Sequence, residues 1–176
     1  PELVGRNIGA RMVPFEGRIT STTPKGTDVL DFWHGGAERW RVERDGELQY
    51  ISDGERTFCR DESGALAPLG GRGIRMAWVT AGLGPFDLVG QSGILQRMSR
   101  NVVALSTPVE ASLGGRLAWS TQLGEPGATE ADRITVTIDD QSGLIIELLS
   151  GRGATLNVSR LSTGPIDDEI FHLDYP

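Results

Sequence analysis

The chain has 176 residues, the length of one domain of ordinary to large size, so it is long enough to fold without a metal or a disulfide. Charged residues make up 23% of the chain, and no apolar run approaches the roughly 18 residues that a membrane span requires. The net charge of -7 and the pI of about 4.8 argue against a phosphate-binding surface, because nucleic-acid binders concentrate positive charge on one face. We therefore expect no nucleic-acid partner.

The N-terminal residues Pro1–Gly5 lack the basic start and the apolar stretch of a secretory signal. We expect an extracytoplasmic protein of the cell envelope if a signal was removed before Pro1, and a cytoplasmic protein otherwise. The single cysteine, Cys59, excludes an internal disulfide, and we interpret it as a small apolar residue on a strand.

The first predicted element is a short helix at the N-terminus. Val4, Ile8 and Met12 recur at i, i+4 and i+8, which is the spacing of one helical face. Gly5 and Gly9 weaken the prediction, because glycine lowers helix stability.

A β-meander is predicted from about Glu16 to Asp61, where short alternating stretches are separated by turns. Asp45-Gly46 and Asp53-Gly54 are the sharpest turns, because these dipeptides favour positive φ. Apolar and charged residues alternate around Trp40 and Val42, as in a sheet with one buried face. The predicted strands are Phe15–Thr22, Thr27–His34, Arg39–Arg44 and Glu47–Ser52.

The middle of the chain predicts a long surface loop followed by short helices. Residues from Gly64 to Gly84 are rich in glycine and proline, and long ordered loops tend to carry function. Pro85 can start a helix, and Leu88, Leu95 and Met98 share one helical face, although Gly90 and Gly93 weaken it.

Strand patterns resume after these helices and bring the predicted number of strands to about nine. We therefore predict one mainly β domain with a minor α content, spanning residues 1–176, whose sheet is antiparallel. The strands of this half are Val102–Ser112, Arg116–Leu123, Arg133–Asp139, Leu144–Leu149 and Thr155–Leu161.

Residues that could carry catalysis or bind a metal form no recognisable pattern. His34 and His172 lie at opposite ends of the chain without a neighbouring ligand motif. The stretch Gly90-Gln91-Ser92-Gly93 differs from a nucleophile elbow, because its second glycine comes one residue early. Turn chemistry explains Gly70-Gly71, Gly114-Gly115, Asp139-Asp140 and Asp167-Asp168-Glu169. We predict that the protein is not an enzyme and uses no cofactor or metal.

Several stretches of the chain occur in an order that is typical of one known family. Residues 39–43, 51–54 and 57–58 read as a strand, a Ser-Asp-Gly hairpin and an aromatic strand. Residues 84–89 begin the predicted helices, and residues 134–138 and 166–171 precede the ending Tyr175-Pro176. In this order they resemble the LolA-like family of bacterial lipoprotein and lipid carriers, which includes actinobacterial lipoproteins of the LppX and LprG type.

The resemblance implies a strongly curved antiparallel sheet that forms an incomplete barrel, with an apolar concave face and short helices as a lid. It also implies that Arg39 or Arg41 helps to hold the lid. An open sheet of this kind either fills its inner face with side chains or binds an apolar ligand there. Core packing is the alternative role for each of the ligand-binding residues that we predict, which are Trp33, Trp40, Leu48, Tyr50, Phe58, Phe86, Leu88, Leu95, Met98 and Trp119.

Two functions are compatible with such a scaffold. The first is a carrier or chaperone for a lipid, an acyl chain or a lipidated protein, which allows peripheral contact with a membrane. The second is a sensor or interaction domain that binds a partner protein through the sheet or the lid, as in regulators of envelope stress. Co-purifying lipid favours the carrier, whereas an interior filled by side chains favours the interaction domain.

Overall fold

The alternating pattern of the sequence produces a mainly β domain in a computed structural model that describes residues 2–61, 63–69, 84–89 and 102–173. One α-helix, α1, spans Glu2–Gly9, and single turns of 3-10 helix cover Ala10–Met12, Pro85–Leu88, Glu130–Asp132 and Asp168–Phe171. The strands are β1 Phe15–Thr23, β2 Gly26–His34, β3 Arg39–Arg44, β4 Glu47–Asp53, β5 Thr57–Arg60, β6 Leu66–Pro68, β7 Val103–Ala104, β8 Val109–Leu113, β9 Arg116–Gly124, β10 Ile134–Asp139, β11 Ile145–Ser150 and β12 Thr155–Thr163.

All of these strands belong to one antiparallel sheet. Their spatial order is β6-β5-β4-β3-β2-β1-β12-β11-β10-β9-β7, and β8 pairs with β9. The first strand and the last strand therefore pair at the centre and join two meanders. The predicted mainly β, antiparallel class is confirmed. The sheet is open, with β6 and β7 at its two ends, rather than closed or strongly curled.

The structure differs from the predicted strands in two places. Leu66–Pro68 pairs with β5, so a short strand lies within the stretch that we predicted to be loop. The single predicted strand Val102–Ser112 is split into β7 and β8 around Ser106. The Ser106 carbonyl accepts a hydrogen bond from Thr121 Oγ1 at 3.0 Å, and Ser106 Oγ accepts one from the Gln122 amide at 2.9 Å. These side-chain bonds, together with Pro108, interrupt the backbone ladder.

The core lies on one side of the sheet, which we call the inner face. Within the first meander, Phe32 of β2 lies opposite Val42 of β3, and Val42 lies opposite Tyr50 of β4. Burying each such aliphatic or aromatic side chain contributes about 1.5–3 kcal/mol to stability. Both meanders contribute to the same cluster of buried side chains, which includes Phe15, Ile19, Leu30, Phe32, Val42, Val136, Ile138, Leu148 and Leu156.

Helix α1 is present as predicted, but the stripe that predicted it is not the buried one. Val4, Ile8 and Met12 are 49%, 39% and 64% exposed. Asn7 and Ala10 are buried instead. The helix therefore contacts the rest of the domain through a narrower surface than its pattern indicates. No helix in the described ranges is long and apolar enough to cross a membrane.

Gly143, in the turn between β10 and β11, lets α1 approach the sheet closely. Its φ is +73°, and a Cβ atom at this position would lie 2.5 Å from the Arg6 carbonyl oxygen. Gly46 has a similar φ of +78°, but a Cβ there would meet no atom within 4 Å. Both glycines therefore have a left-handed backbone conformation that other residues rarely adopt. Only Gly143 also lacks space for a side chain.

Replacing each glycine by alanine separates these two constraints. We expect Gly46→Ala to lower the free energy of unfolding by about 1–2 kcal/mol, from left-handed backbone strain alone. Gly143→Ala should lower it by a further ~1–3 kcal/mol, because α1 must move away from the new methyl group. Urea unfolding of both variants measures the difference, and equal losses would contradict the close contact between α1 and this turn.

Candidate functional site

Residues 84–89, which we call the cover, lie at the point where the sequence predicts the lid to begin. Pro85–Leu88 forms one turn of 3-10 helix, and the Gly84 amide donates a hydrogen bond to Asp87 Oδ2 at 2.8 Å. Leu88 and Val89 are buried in the same cluster as the core of the sheet. The described start of the predicted lid therefore packs on the inner face. Leu95 and Met98 lie outside the described residues.

Phe86 of the cover packs on aromatic side chains of β3 and β4. Its ring centroid lies 5.0 Å from that of Trp40 and 4.7 Å from that of Tyr50, and both pairs are edge-to-face. Such pairs add about 0.5–1.5 kcal/mol to the gain from burial alone. Trp40 is buried, whereas Tyr50 and Phe86 are only half-buried. Three predicted ligand-binding residues thus meet at one end of the inner face, where aromatic surface remains accessible.

His34 lies behind this group, between the rings of Phe15 and Trp40. The ring centroids are 4.5 Å and 4.3 Å from that of His34. Nδ1 is 2.9 Å from the Val13 carbonyl oxygen, and Nε2 is 3.2 Å from that of Ala37. Burial lowers the pKa of His34, and the two carbonyl groups oppose this shift only in part. His34 therefore supports the aromatic residues as an enclosed ring whose burial disfavours the protonated form.

Other predicted ligand-binding residues lie elsewhere. Trp33 and Phe58 belong to a row on the outer face, in register through Arg41 and Ile51. Leu48 is half-buried beside a β-bulge between Val42 and Glu43.

Trp119 is half-buried on β9 and donates its indole N–H to Asp140 Oδ1 at 2.8 Å. It lies opposite Ile138 of β10, in the second meander. The structure therefore brings together Trp40, Tyr50, Phe86 and Leu88, and it places Trp33 and Phe58 on the other face of the sheet.

Arg39 and Arg41, which the family resemblance links to the lid, contact the C-terminal segment. Arg41 donates a hydrogen bond to the Ile170 carbonyl oxygen at 3.1 Å and pairs with Glu43 at 2.7 Å. Arg39 pairs with Asp168, and its guanidinium carbon lies 5.5 Å from the centroid of the Phe171 ring. Both arginines thus hold the last 3-10 turn against β3.

A small cleft lies beside this C-terminal segment, on the outer face. Its volume is about 180 Å³, and it is lined by Glu16, Ser162, Gly164, Pro165, Ile166, Asp167 and Ile170. Small-molecule sites usually enclose ~300–1,000 Å³, so this cleft is smaller than an acyl-chain site. Among the described residues, no group of three or more His, Cys, Asp or Glu side chains is arranged to hold a metal ion.

No protein-family model matches the chain, and no curated protein matches it. Among solved structures, MucB in complex with MucA(peri) matches with a TM-score of 0.58 at 16% identity, over 98% of this chain and 59% of that one. The MucA/MucB complex of Pseudomonas aeruginosa matches with a TM-score of 0.52 at 18% identity, over 96% and 59%. The lipoprotein LppX of Mycobacterium tuberculosis reaches a TM-score of 0.43 at 14% identity, over 94% and 96%, which is too low to support an argument.

These matches show a shared fold and no more. The chain spans 59% of the length of the MucB chains in both complexes. The predicted resemblance is therefore supported at the level of the fold, through MucB.

The buried imidazole of His34 gives a prediction for pH. Its pKa lies below the value of 6.5 that it takes in the unfolded chain, so the unfolded state binds the proton more readily. The free energy of unfolding should therefore fall as the pH is lowered from 6.5 towards 5. Urea unfolding at pH 7.5 and pH 5.0 should give a smaller loss for His34→Gln than for the wild type. His172→Gln, at an exposed position, is the matched control, and equal losses in all three proteins would refute the assignment.

Arg41→Leu distinguishes the contact that the structure shows from the role that the resemblance implies. We expect faster hydrogen exchange at residues 168–172, because the bond from Arg41 to the Ile170 carbonyl is lost. Exchange at residues 84–89 should stay at the wild-type rate. Faster exchange at the cover would instead support the lid-holding role. Arg18→Leu is the control, because Arg18 forms its ion pair with Asp31 of β2 rather than with either segment.

Proposed function

We propose that the chain is a non-catalytic binding domain that receives an apolar group, such as an acyl chain of a lipid or of a lipidated protein, on its inner face. The group would lie beside Trp40 and Tyr50, in the place that Phe86 now takes. The observation that carries the proposal is that Phe86 packs on Trp40 and Tyr50 and is nevertheless only half-buried. Apolar contacts are non-directional, so another apolar group can replace this ring against the same wall.

The strength of binding follows from the area that a ligand buries. A sixteen-carbon chain contributes about 13 kcal/mol at ~0.8 kcal/mol per methylene, against an association cost of roughly 4–15 kcal/mol. Displacing a ring such as Phe86 costs about 1.5–3 kcal/mol more. One acyl chain is therefore at the limit of useful affinity, and a ligand with two chains would bind firmly.

A second candidate function is recognition of a partner polypeptide, and the comparison with MucB favours it. MucB has been solved in complex with MucA, and it shares the fold of this chain over nearly all of the chain's length. Side chains of both meanders are buried in one cluster on the described part of the inner face. A partner would in that case bind without entering the interior. Either function suits a protein of the cell envelope, which is the location that we propose.

Organic extraction of the purified protein, followed by mass spectrometry, separates the two functions. Co-purifying lipid or fatty acid is expected for the proposed ligand. Titration with the fluorescent fatty acid 11-dansylaminoundecanoic acid gives the affinity in the same preparation. An empty extract together with no change in fluorescence would contradict the apolar ligand and leave the partner polypeptide.

Phe86→Ala tests the place of binding. Removing the ring leaves the aromatic wall open, so we expect the affinity for the fluorescent fatty acid to rise about tenfold, which corresponds to ~1.4 kcal/mol. Phe58→Ala is the matched control, because Phe58 is also half-buried but lies on the outer face. Equal effects of the two substitutions would place the ligand elsewhere.

A further inference from the structure

We infer that α1 controls whether the cover stays on the inner face, and that Asn7 is the positioning residue through which it acts. For its consequence on ligand binding, the inference rests on the proposed function. The control of the cover itself is a property of the fold and can be measured without a ligand.

Asn7 joins two segments that are far apart in the chain. Its side chain is 1% exposed, and Nδ2 donates one hydrogen bond to the Leu88 carbonyl at 2.7 Å and another to the Gly143 carbonyl at 2.9 Å. A side-chain amide has two N–H groups, so both are used. A buried carbonyl left without a partner costs about 1–3 kcal/mol, so the cover and the turn both depend on this one side chain.

The turn that holds Gly143 is the fixed side of this connection. The buried Asp139 carboxylate accepts hydrogen bonds from the Ser142 amide at 2.7 Å and from Arg116 Nε at 2.7 Å. Arg6, next to Asn7, pairs with Asp140. The β10–β11 turn is therefore ordered by its own network, and α1 rests on it.

Helix α1 is the part of this connection that can move away from the β10–β11 turn. It has eight residues, and isolated helices shorter than about 12–15 residues are marginal in water. Val4 and Ile8 of its apolar stripe are exposed, so the apolar contact of α1 with the core is made by Leu3 and, directly after the helix, by Ala10. Its ion pair between Glu2 and Arg6 is largely exposed and contributes about 0–1 kcal/mol.

These contacts give two states of the inner face. With α1 on the turn, Asn7 binds the Leu88 carbonyl and holds the cover against the sheet. With α1 displaced, the Leu88 carbonyl loses its partner, and the end of the cover is free to move. A factor that displaces α1 would thereby open the inner face to an apolar ligand.

Asn7→Asp is the most direct variant, because it keeps the shape of the side chain and removes both N–H donors. We expect hydrogen exchange at residues 84–89 to become at least tenfold faster, while β1 and β12 keep their wild-type rates. Asn7→Ala, which also removes side-chain volume, should have the same pattern.

Two controls separate this effect from a general loss of stability. Asn157→Ala makes the same chemical change at an exposed position of β12 and should leave exchange at the cover unchanged. Val158→Ala removes buried volume from β12, which pairs with β1 and β11, and lowers overall stability. This variant should not increase the rate of hydrogen exchange selectively at residues 84–89.

The outcomes distinguish the inference from the proposed function. Unchanged exchange at residues 84–89 in both Asn7 variants overturns the inference, and so does a uniform acceleration over the whole sheet. Selective acceleration of the cover supports it. Binding of 11-dansylaminoundecanoic acid is the second measurement. Selective acceleration without any binding would support the role of Asn7 and contradict the proposed ligand. Binding together with unchanged exchange at the cover would support the ligand and contradict the role of Asn7.

Discussion

One apolar face of a large antiparallel sheet must be kept out of water, and the rest of the structure depends on this constraint. A sheet face is covered most easily by long helices, but the described part of this chain offers one helix of eight residues and several single 3-10 turns. Among the described residues, segment 84–89 packs Leu88 and Val89 into the core and Phe86 against Trp40 and Tyr50. Phe86 remains half-buried in this position, so the proposed ligand site lies at this end of the inner face.

The polar contacts of the domain follow from the same constraint. Buried backbone carbonyl groups need hydrogen-bond partners, and a side chain serves where the backbone supplies none. Asn7 supplies one for Leu88. On the other side of the sheet, Arg39 and Arg41 hold the C-terminal turn, so each face has its own short segment attached by a few charged or polar side chains. The fold shared with MucB is compatible with ligands of more than one kind, because an open sheet can offer its inner face, its outer face or its covering segments.

The strands could be predicted from the sequence because their signal is local. Alternation around Trp40 and Val42, with Asp45-Gly46 and Asp53-Gly54 as turns, places β3 and β4 correctly. Alternation also places Trp33 and Phe32 on opposite faces of β2, which is why Trp33 lies away from Trp40 and Tyr50. The role of Asn7 could not be predicted from the sequence pattern of α1. That pattern indicates that Val4 and Ile8 face the sheet, whereas in the structure both are exposed and Asn7 is buried. The contacts of Arg39 and Arg41 with the C-terminal turn join residues far apart in the chain, which no local pattern encodes.

The proposed function requires that an apolar group can lie against Trp40 and Tyr50. Nuclear Overhauser measurements with uniformly ¹³C-labelled palmitate and the unlabelled protein test this directly. The account predicts contacts from the acyl methylenes to the ring protons of Trp40 and Tyr50. Contacts only to Trp33 and Phe58 on the outer face, or no contacts at all, would contradict it.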